Sequence, residues 1–281
     1  MFNSTHRDEV FVAGGQPTLT YVQREEDHLE RSFARAVATP NQIVSLSGPT
    51  KTGKTVLCRH VLGDREYVWI DGGQVANGDE FWSKVAGELN IPLESQISRG
   101  GQSTIGIQGS LPFITTASGS KLSSSMTTER SRIDSMADAM SLMLQSKMIL
   151  VIDDFHYLDE NVRRTIMRNV KGAVFGGLKV ILLSVSHRVF DAIKAESELT
   201  GRFTAITLPH WNKDDLAQIP RLGFKALKID QEDDFINKLC NEAQESPFLM
   251  QKFCWEICFD NGIEKAPAIG KNDIATDYSL G

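Results

Sequence analysis

One octapeptide sets the starting point for this chain: Gly48-Pro49-Thr50-Lys51-Thr52-Gly53-Lys54-Thr55. It matches the template G-x-x-x-x-G-K-[ST], in which a glycine-containing loop wraps a polyphosphate. Residues 43–47 before it alternate like a short buried strand, and residues 56–62 after it carry apolar side chains at helical spacing. The sequence therefore predicts a phosphate-binding loop (residues 48–55) between a strand and the N-terminus of a helix. A chance glycine- and threonine-rich turn is the alternative.

The predicted role of this loop follows from its backbone and two side chains. Free N–H groups and the helix dipole face the anion, while the glycines let the backbone approach it. Lys54 is expected to reach the outer phosphates, and the Thr55 hydroxyl to bind magnesium. The predicted nucleotide-contacting residues are Gly48, Pro49, Thr50, Lys51, Thr52, Gly53, Lys54, Thr55 and Val56.

Composition indicates an ordinary globular protein. The 281 residues are 41% hydrophobic and 23% charged, which is enough for a large core domain with a smaller companion. The formal net charge of -6 argues against a protein that mainly wraps nucleic acid, although a local basic face stays open. We found no signal-peptide layout and no apolar run of membrane-spanning length, so we expect a cytoplasmic protein with no membrane partner.

The four cysteines point the same way. None of the residues Cys58, Cys240, Cys254 and Cys258 forms a C-x-x-C pair. We interpret them as buried thiols of a protein in a reducing compartment.

Strand-like and helical segments alternate over the first 210 residues. The predicted strands are residues 43–47, 67–71, 148–152, 179–185 and 204–208. This pattern predicts an α/β fold, a P-loop NTPase with a parallel five-stranded sheet flanked by helices. The helix before the third strand shows apolar residues at core spacing, namely Ile133, Met136, Met140 and Leu144.

Beyond residue 210 the strand signals stop and a small helical lid domain is predicted. Asn212 can cap a helix that carries Leu216 and Ile219, and Ser246-Pro247 can open another. Between them, a helix is expected to bury Phe235, Ile236, Leu239 and Cys240. The predicted boundaries are an N-terminal extension (1–20), an ATPase core (21–210), a lid (211–265) and a tail (266–281).

A Ser-, Gly- and Thr-rich segment, residues 95–130, interrupts the core without helical periodicity. Loops of this length in a compact domain are usually functional or disordered. A hairpin at residues 103–108 and plain disorder are both open interpretations.

Two acids follow the third predicted strand. Asp153 and Asp154 come directly after the apolar run 148–152, and ligands of open α/β sheets gather at the carboxyl ends of strands. We expect Asp153 to hold magnesium, and Asp154 to orient or deprotonate the attacking water. Capping of a turn is the alternative for the pair. His156 could couple to this site or be structural.

Several further polar residues are candidates for contacts with the nucleotide. Ser184, Ser186 and Arg188 end the fourth strand near the expected γ-phosphate, where ordinary strand-end capping is equally open. Arg202 precedes the fifth strand and suits an arginine finger, with an exposed surface arginine as the alternative. A basic row on one predicted helix reads better as a solvated face than as a nucleic-acid patch: Arg163, Arg164, Arg168 and Lys171.

These elements together resemble P-loop ATPases of the AAA+ and STAND groups. The segment Tyr21-Val22-Gln23-Arg24-Glu25-Glu26 resembles the STAND segment along the adenine, which implies a base contact for Arg24. Glu245-Ser246-Pro247 resembles the G-x-P motif of the STAND lid, which implies that Pro247 contacts the base. Gln23 and Glu245 stand where that family has glycine, and Asp154 as second acid is typical of STAND proteins.

The resemblance implies a function as well as a fold. It implies an ATPase, with ATP and Mg²⁺ as ligands and slow turnover, in which the nucleotide controls homo-oligomerisation or an effector protein. Bacterial STAND proteins are frequently found in antiphage defence. An AAA+ ATPase acting on DNA, of the transposition or replication loader type, is the alternative, so a nucleic-acid partner stays open. A metabolic kinase shares the loop but would need a phosphoacceptor pocket.

Overall fold

The structure of this chain is a computed structural model that describes residues 5–24, 28–91, 135–185, 201–268, 270–272 and 274. The predicted insertion 95–130 lies outside these residues, as do Ile133, Ser186 and Arg188. Within the described residues the sequence folds into a sheet with helices on both faces and a C-terminal group of helices.

In the described part of the chain, five parallel strands form one sheet with the spatial order β2-β3-β4-β1-β5. The strands are β1 (Ile43–Ser47), β2 (Tyr67–Asp71), β3 (Ile149–Asp153), β4 (Lys179–Ser184) and β5 (Phe203–Thr207). Each lies within one residue of its predicted position. The predicted fold class, an α/β P-loop NTPase with a five-stranded parallel sheet, is confirmed.

The helices alternate with the strands and then run on alone. They are α1 (Arg7–Val10), α2 (Leu29–Ala38), α3 (Lys54–Leu62), α4 (Gly78–Glu88), α5 (Ser135–Gln145), α6 (Glu160–Phe175), α7 (Lys213–Ala226), α8 (Asp233–Ala243) and α9 (Pro247–Asp260). Short 3-10 turns at Gly72–Gln74 and Phe155–Tyr157 follow β2 and β3.

Successive residues of the central strands point to opposite faces of the sheet, so a continuous apolar run serves two cores. Leu150 and Ile152 pack in one cluster with side chains of α4, α5 and α6. Ile149 and Val151 pack in the other with α2 and α3. This explains why β3 carries four successive apolar residues before Asp153 and does not alternate between apolar and polar residues.

Helix α5 is rotated slightly from the predicted orientation. Ala139 and Met143 are its fully buried side chains, whereas Met136, Met140 and Leu144 are only partly buried against the same cluster. The predicted row therefore lies at the border of the buried face, which is centred on Ala139 and Met143.

The predicted lid caps are confirmed. Asn212 accepts the backbone N–H of Asp215 at 2.7 Å, and Ser246 accepts that of Leu249 at 3.3 Å with Pro247 at the first helical position. The predicted apolar residues of α8 are buried in a separate core with α7 and α9. Val10, Phe11 and Val22 belong to this core too, so residues 5–24 pack with the lid.

The predicted basic row on α6 does not form one face. Arg163 is buried, with 9% of its surface exposed, whereas Arg164 and Arg168 are exposed. Adjacent positions of a helix point about 100° apart, so Arg163 and Arg164 face different surroundings. The interpretation of all four as one solvated face was wrong for Arg163.

All four cysteines are buried and unbridged, as expected. Burial raises the pKa of the Cys58 and Cys254 thiols well above the usual range. No helix in the residues that the structure describes combines the length and the apolar character needed to cross a lipid bilayer.

The packing of Phe11, which follows α1, against α7 can be tested at a glycine. A Cβ at Gly223 would lie 2.2 Å from the Phe11 ring, whereas a Cβ at Gly172 in α6 would meet nothing within 4 Å. We expect Gly223→Ala to lower the free energy of unfolding by about 1–2 kcal/mol, because overpacking outweighs the gain in helix propensity. Gly172→Ala should raise it by about 0.5–1 kcal/mol. Urea denaturation measures both, and a stabilised Gly223→Ala protein would contradict the packing described.

Candidate functional site

The phosphate-binding loop lies between β1 and the N-terminus of α3, as predicted. Gly53 has φ +92° and precedes the first residue of α3, a conformation that side chains rarely adopt. A Cβ on Gly48 would lie 2.7 Å from the carbonyl oxygen of Leu208, so the start of the loop also requires glycine. The two template glycines therefore serve different purposes, a backbone conformation and a close approach.

The Lys54 ammonium is folded back over this loop. Its Nζ donates to the carbonyl oxygens of Gly48, at 3.1 Å, and Pro49, at 2.7 Å. Burial lowers the pKa of Lys54, while the charges of Asp154 and Asp153 act in the opposite direction. A phosphate group at the loop would give this ammonium an anionic partner.

The proposed metal ligands are in contact. The Thr55 hydroxyl donates to Asp153 Oδ2 at 3.0 Å, and the Asp154 N–H donates to Asp153 Oδ1 at 2.9 Å. Burial raises the pKa of Asp153; the two hydrogen bonds lower it, and the charges of Asp154 and Asp71 raise it again. A bound cation would relieve this cost because it stabilises the ionised carboxylate.

This donor set fits magnesium. A hydroxyl and a carboxylate are hard oxygen ligands, and Mg²⁺ is usually bound by one or two protein carboxylates together with phosphates and water. Among the described residues, no group of three His, Cys, Asp or Glu side chains forms a self-sufficient metal site. A magnesium ion on Thr55 and Asp153 would therefore take its remaining ligands from the nucleotide and water.

Asp154 lies beside this pair in a left-handed conformation, with φ +50°. Its side chain is 48% exposed, and its Oδ1 is 3.9 Å from His156 Nδ1. This turn packs closely against Gly72, since a Cβ at Gly72 would lie only 2.9 Å from the carbonyl oxygen of Asp154. Asp154 is thus held at the pocket with its carboxylate accessible to water.

The sequence analysis did not identify Asp71 as a residue of this site. It pairs in register with Asp153 across β2 and β3, and its Oδ1 accepts the N–H of Gly73 at 2.8 Å. The signal was present, since Asp71 ends the predicted strand 67–71 at the same edge of the sheet as Asp153.

A pocket of about 360 Å³ lies between the loop, the acids and the lid. Loop residues 50–56, Asp153, Asp154 and Pro247 line it together, whereas Gly48 and Pro49 are not among its lining residues. Val12, Gly14, Gly15, Pro17 and Thr20 line it as well, and the sequence analysis missed them because this irregular segment has no periodic pattern. The size is in the range of small-molecule sites.

Arg24 lines the pocket, but its guanidinium is engaged elsewhere. It donates to the carbonyl oxygens of Pro209, at 3.3 Å, and His210, at 3.1 Å, and its Nε lies 3.6 Å from Asp215 Oδ2. The residue is 4% exposed. Arg24 thus joins the segment before α2 to the start of the lid.

Arg202 lies far from the loop in its own chain. It precedes β5, whose first residue pairs with the first residue of β1, and so lies at the opposite edge of the sheet from residues 48–55. Its guanidinium is 4.6 Å from the centre of the Phe175 ring. A contact with nucleotide is therefore open only across a subunit boundary. The other candidate arginine, Arg188, lies outside the described residues.

Ser184 ends β4 beneath the loop. It is fully buried, its hydroxyl donates to the Val185 carbonyl at 3.0 Å, and its own carbonyl accepts the N–H of Gly48 at 3.3 Å. Ser184 supports the start of the loop in this arrangement.

The chain matches no protein-family model and no curated protein sequence. Solved structures are similar in fold. Cdc6p from Pyrobaculum aerophilum has a TM-score of 0.59 at 18% identity, over 94% of this chain and 69% of that chain. The Aeropyrum pernix ORC2 protein, in ADPNP-ADP complexes, has 0.61 at 11%, over 98% and 70%. A Walker-type ATPase of Pyrococcus abyssi has 0.57 at 17%, over 87% and 72%.

At these identities the similarity establishes the fold. The chain has an α/β P-loop fold, with a five-stranded parallel sheet flanked by helices, like that of these solved structures. The similarity does not single out the STAND group within it.

Tyr21 offers a test of the pocket wall. Its phenol donates to Glu30 at 2.8 Å, its ring stacks on His60 at 3.9 Å, and burial, together with Glu30, raises its pKa. We expect Tyr21→Phe to cost about 1 kcal/mol of stability at neutral pH. The unfolded chain loses this proton near pH 10 while the folded one keeps it, so the difference should shrink above about pH 10.

Thermal denaturation at neutral and alkaline pH measures this effect. Tyr157→Phe is the matched control, since that side chain is 67% exposed and should give no difference. Equal stability of Tyr21→Phe and the wild type at neutral pH would contradict the described bond.

Proposed function

We propose that this chain is a magnesium-dependent ATPase that works as a STAND-like switch. One observation supports this above all: Lys54 and the Thr55-Asp153 pair converge on a pocket that the lid also lines. The Aeropyrum pernix ORC2 protein, which shares the fold, was solved in ADPNP-ADP complexes. Adenine nucleotides are therefore the proposed ligands.

Each residue of the site has a distinct proposed task. The N–H groups at the start of α3 and the Lys54 ammonium bind the outer phosphates. Thr55 and Asp153 hold magnesium, which supplies positive charge to the transferring phosphoryl group when bound. Asp154, with its exposed carboxylate, orients the attacking water.

The proposed switch rests on the two-part construction of the pocket. Its walls come from the sheet domain and from Pro247 and Phe248 at the start of α9, so a bound nucleotide would contact both parts. Hydrolysis would change those contacts and favour a different arrangement of lid and sheet. The proposed outcome is control of homo-oligomerisation or of an effector protein, with antiphage defence as a setting.

Glu245 supports the STAND-like interpretation of the lid. It stands where the G-x-P motif has glycine, and its φ is +62°, a conformation that glycine adopts most easily. Its carboxylate lies 3.1 Å from Nδ1 of His210, in the connection between β5 and α7 (residues 208–212, the lid connection). The backbone shape that the resemblance implies is thus present without the glycine.

An AAA+ ATPase acting on DNA is the alternative function for the same pocket. The described residues of α6 give it little support, because Arg163 is buried and the basic row is broken. A fluorescence-anisotropy titration with duplex and single-stranded DNA, at stated salt concentration, separates the two proposals.

The first test of the nucleotide site removes the lysine. We expect Lys54→Ala to reduce ATP affinity about tenfold or more, because a charge-assisted contact is worth roughly 1.5–3 kcal/mol. Isothermal titration calorimetry measures the affinity, and circular dichroism checks the fold. Lys84→Ala is the matched control, since Lys84 lies on α4 and pairs with Glu80. Wild-type affinity in a folded Lys54→Ala protein would exclude the assignment.

A second test separates chemistry from assembly. Asp154→Asn should bind ATP without hydrolysing it, and Arg202→Ala should do the same if Arg202 reaches a neighbour's nucleotide, where such residues contribute about a thousandfold or more. Mixing the two proteins should restore part of the phosphate release, because each supplies what the other lacks. Mass photometry shows whether mixed oligomers form. Mixed oligomers without any recovery would contradict the trans role.

A further inference from the structure

Trp211, in the lid connection, contacts the phosphate-binding loop. Trp211 Nε1 donates to the carbonyl oxygen of Thr52 at 3.0 Å, and both residues are buried, with 9% and 4% of their surfaces exposed. The Thr52 hydroxyl donates in turn to the Pro49 carbonyl at 2.8 Å. The loop is therefore held at Thr52 from outside by the lid and from inside by its own backbone.

Arg24 makes this contact rigid. Its guanidinium lies 5.2 Å from the centre of the Trp211 ring and donates to the carbonyls of the two preceding residues, Pro209 and His210. The backbone leading into Trp211 is thus fixed, and Asn212 caps α7 immediately after it. The Trp211 indole therefore contacts the loop through its N–H and Arg24 through its ring.

The bond constrains the peptide between Thr52 and Gly53. In a planar trans peptide the carbonyl and the following N–H point in opposite directions. Gly53 has φ +92° and no atom within 4 Å of a Cβ position, so sterics at this glycine do little to oppose rotation of the peptide. If this peptide rotated, the Thr52 carbonyl would point toward a bound anion and the Gly53 N–H would point away from it.

We propose that Trp211 is a positioning residue for phosphate recognition. Its indole N–H fixes the Thr52 carbonyl away from the ligand, so that the Gly53 N–H stays available to a polyphosphate. This rests on the proposed nucleotide function and deepens it, since it assigns selectivity for the phosphates to a residue of the lid connection. The lid and the loop are then coupled through one hydrogen bond.

Calorimetry with two ligands tests this assignment. ADP and adenosine, each with magnesium, are titrated into the wild type, Trp211→Phe and Trp255→Phe. We expect Trp211→Phe to weaken ADP binding about three- to tenfold, the size of one neutral hydrogen bond, and to leave adenosine binding within about twofold. Trp255→Phe is the matched control, because Trp255 lies in the second half of α9 and its indole donates to Asp8 at 2.7 Å.

A second replacement guards against a packing defect at this buried position. Benzothienylalanine at position 211 keeps the ring system but replaces the N–H by sulfur, and it should show the same selective loss for ADP. Unchanged ADP affinity in this protein would overturn the proposal, as would equal losses for ADP and adenosine. A wild type that binds no ADP would overturn the proposed function itself, and this inference with it, before any variant is compared.

Discussion

The hydrogen bond between Thr55 and Asp153 is the contact on which the site depends. It joins residues 98 positions apart, one on α3 and one at the end of β3, although β4 lies between β1 and β3 in the sheet. The bond is possible because the parallel strands end at one common edge of the sheet. Because the strand order places β4 between the loop and Asp153, the contact between Thr55 and Asp153 has to reach across the end of β4.

Sequence patterns were sufficient for the parts of this site whose geometry is local. The strand, the loop and the helix start are decided by neighbouring residues, so residues 43–62 were predicted closely, and Asp153 followed from the strand that precedes it. Arg24 and Arg163 show the limit. Arg24 was expected to contact the base and Arg163 to lie on a solvated face, yet both residues are buried. The carbonyl groups that accept from Arg24 lie 185 and 186 positions away along the chain. Such partners leave no local signal.

Buried polar contacts concentrate where the N-terminal residues meet the lid. Thr20 donates to the Val10 carbonyl at 2.7 Å and accepts from Gln251 at 2.8 Å, and Gln251 also accepts the N–H of Val12 at 3.1 Å. Burial of these groups is tolerated because each finds a partner. Directional bonds of this kind fix the irregular residues 12–20 in one path along the pocket, which apolar packing alone would specify less well.

The packing of Phe11 against Phe224, at 5.5 Å between ring centres, sets an order of events during synthesis. The N-terminal residues leave the ribosome first, yet their partners in α7 and α9 emerge only after the whole sheet domain. Long-range contacts of this kind form late and slow folding. Val10 and Phe11 therefore lack their native neighbours until the sheet domain and α7 have been synthesised, and in that interval exposed apolar surface favours aggregation or capture by chaperones.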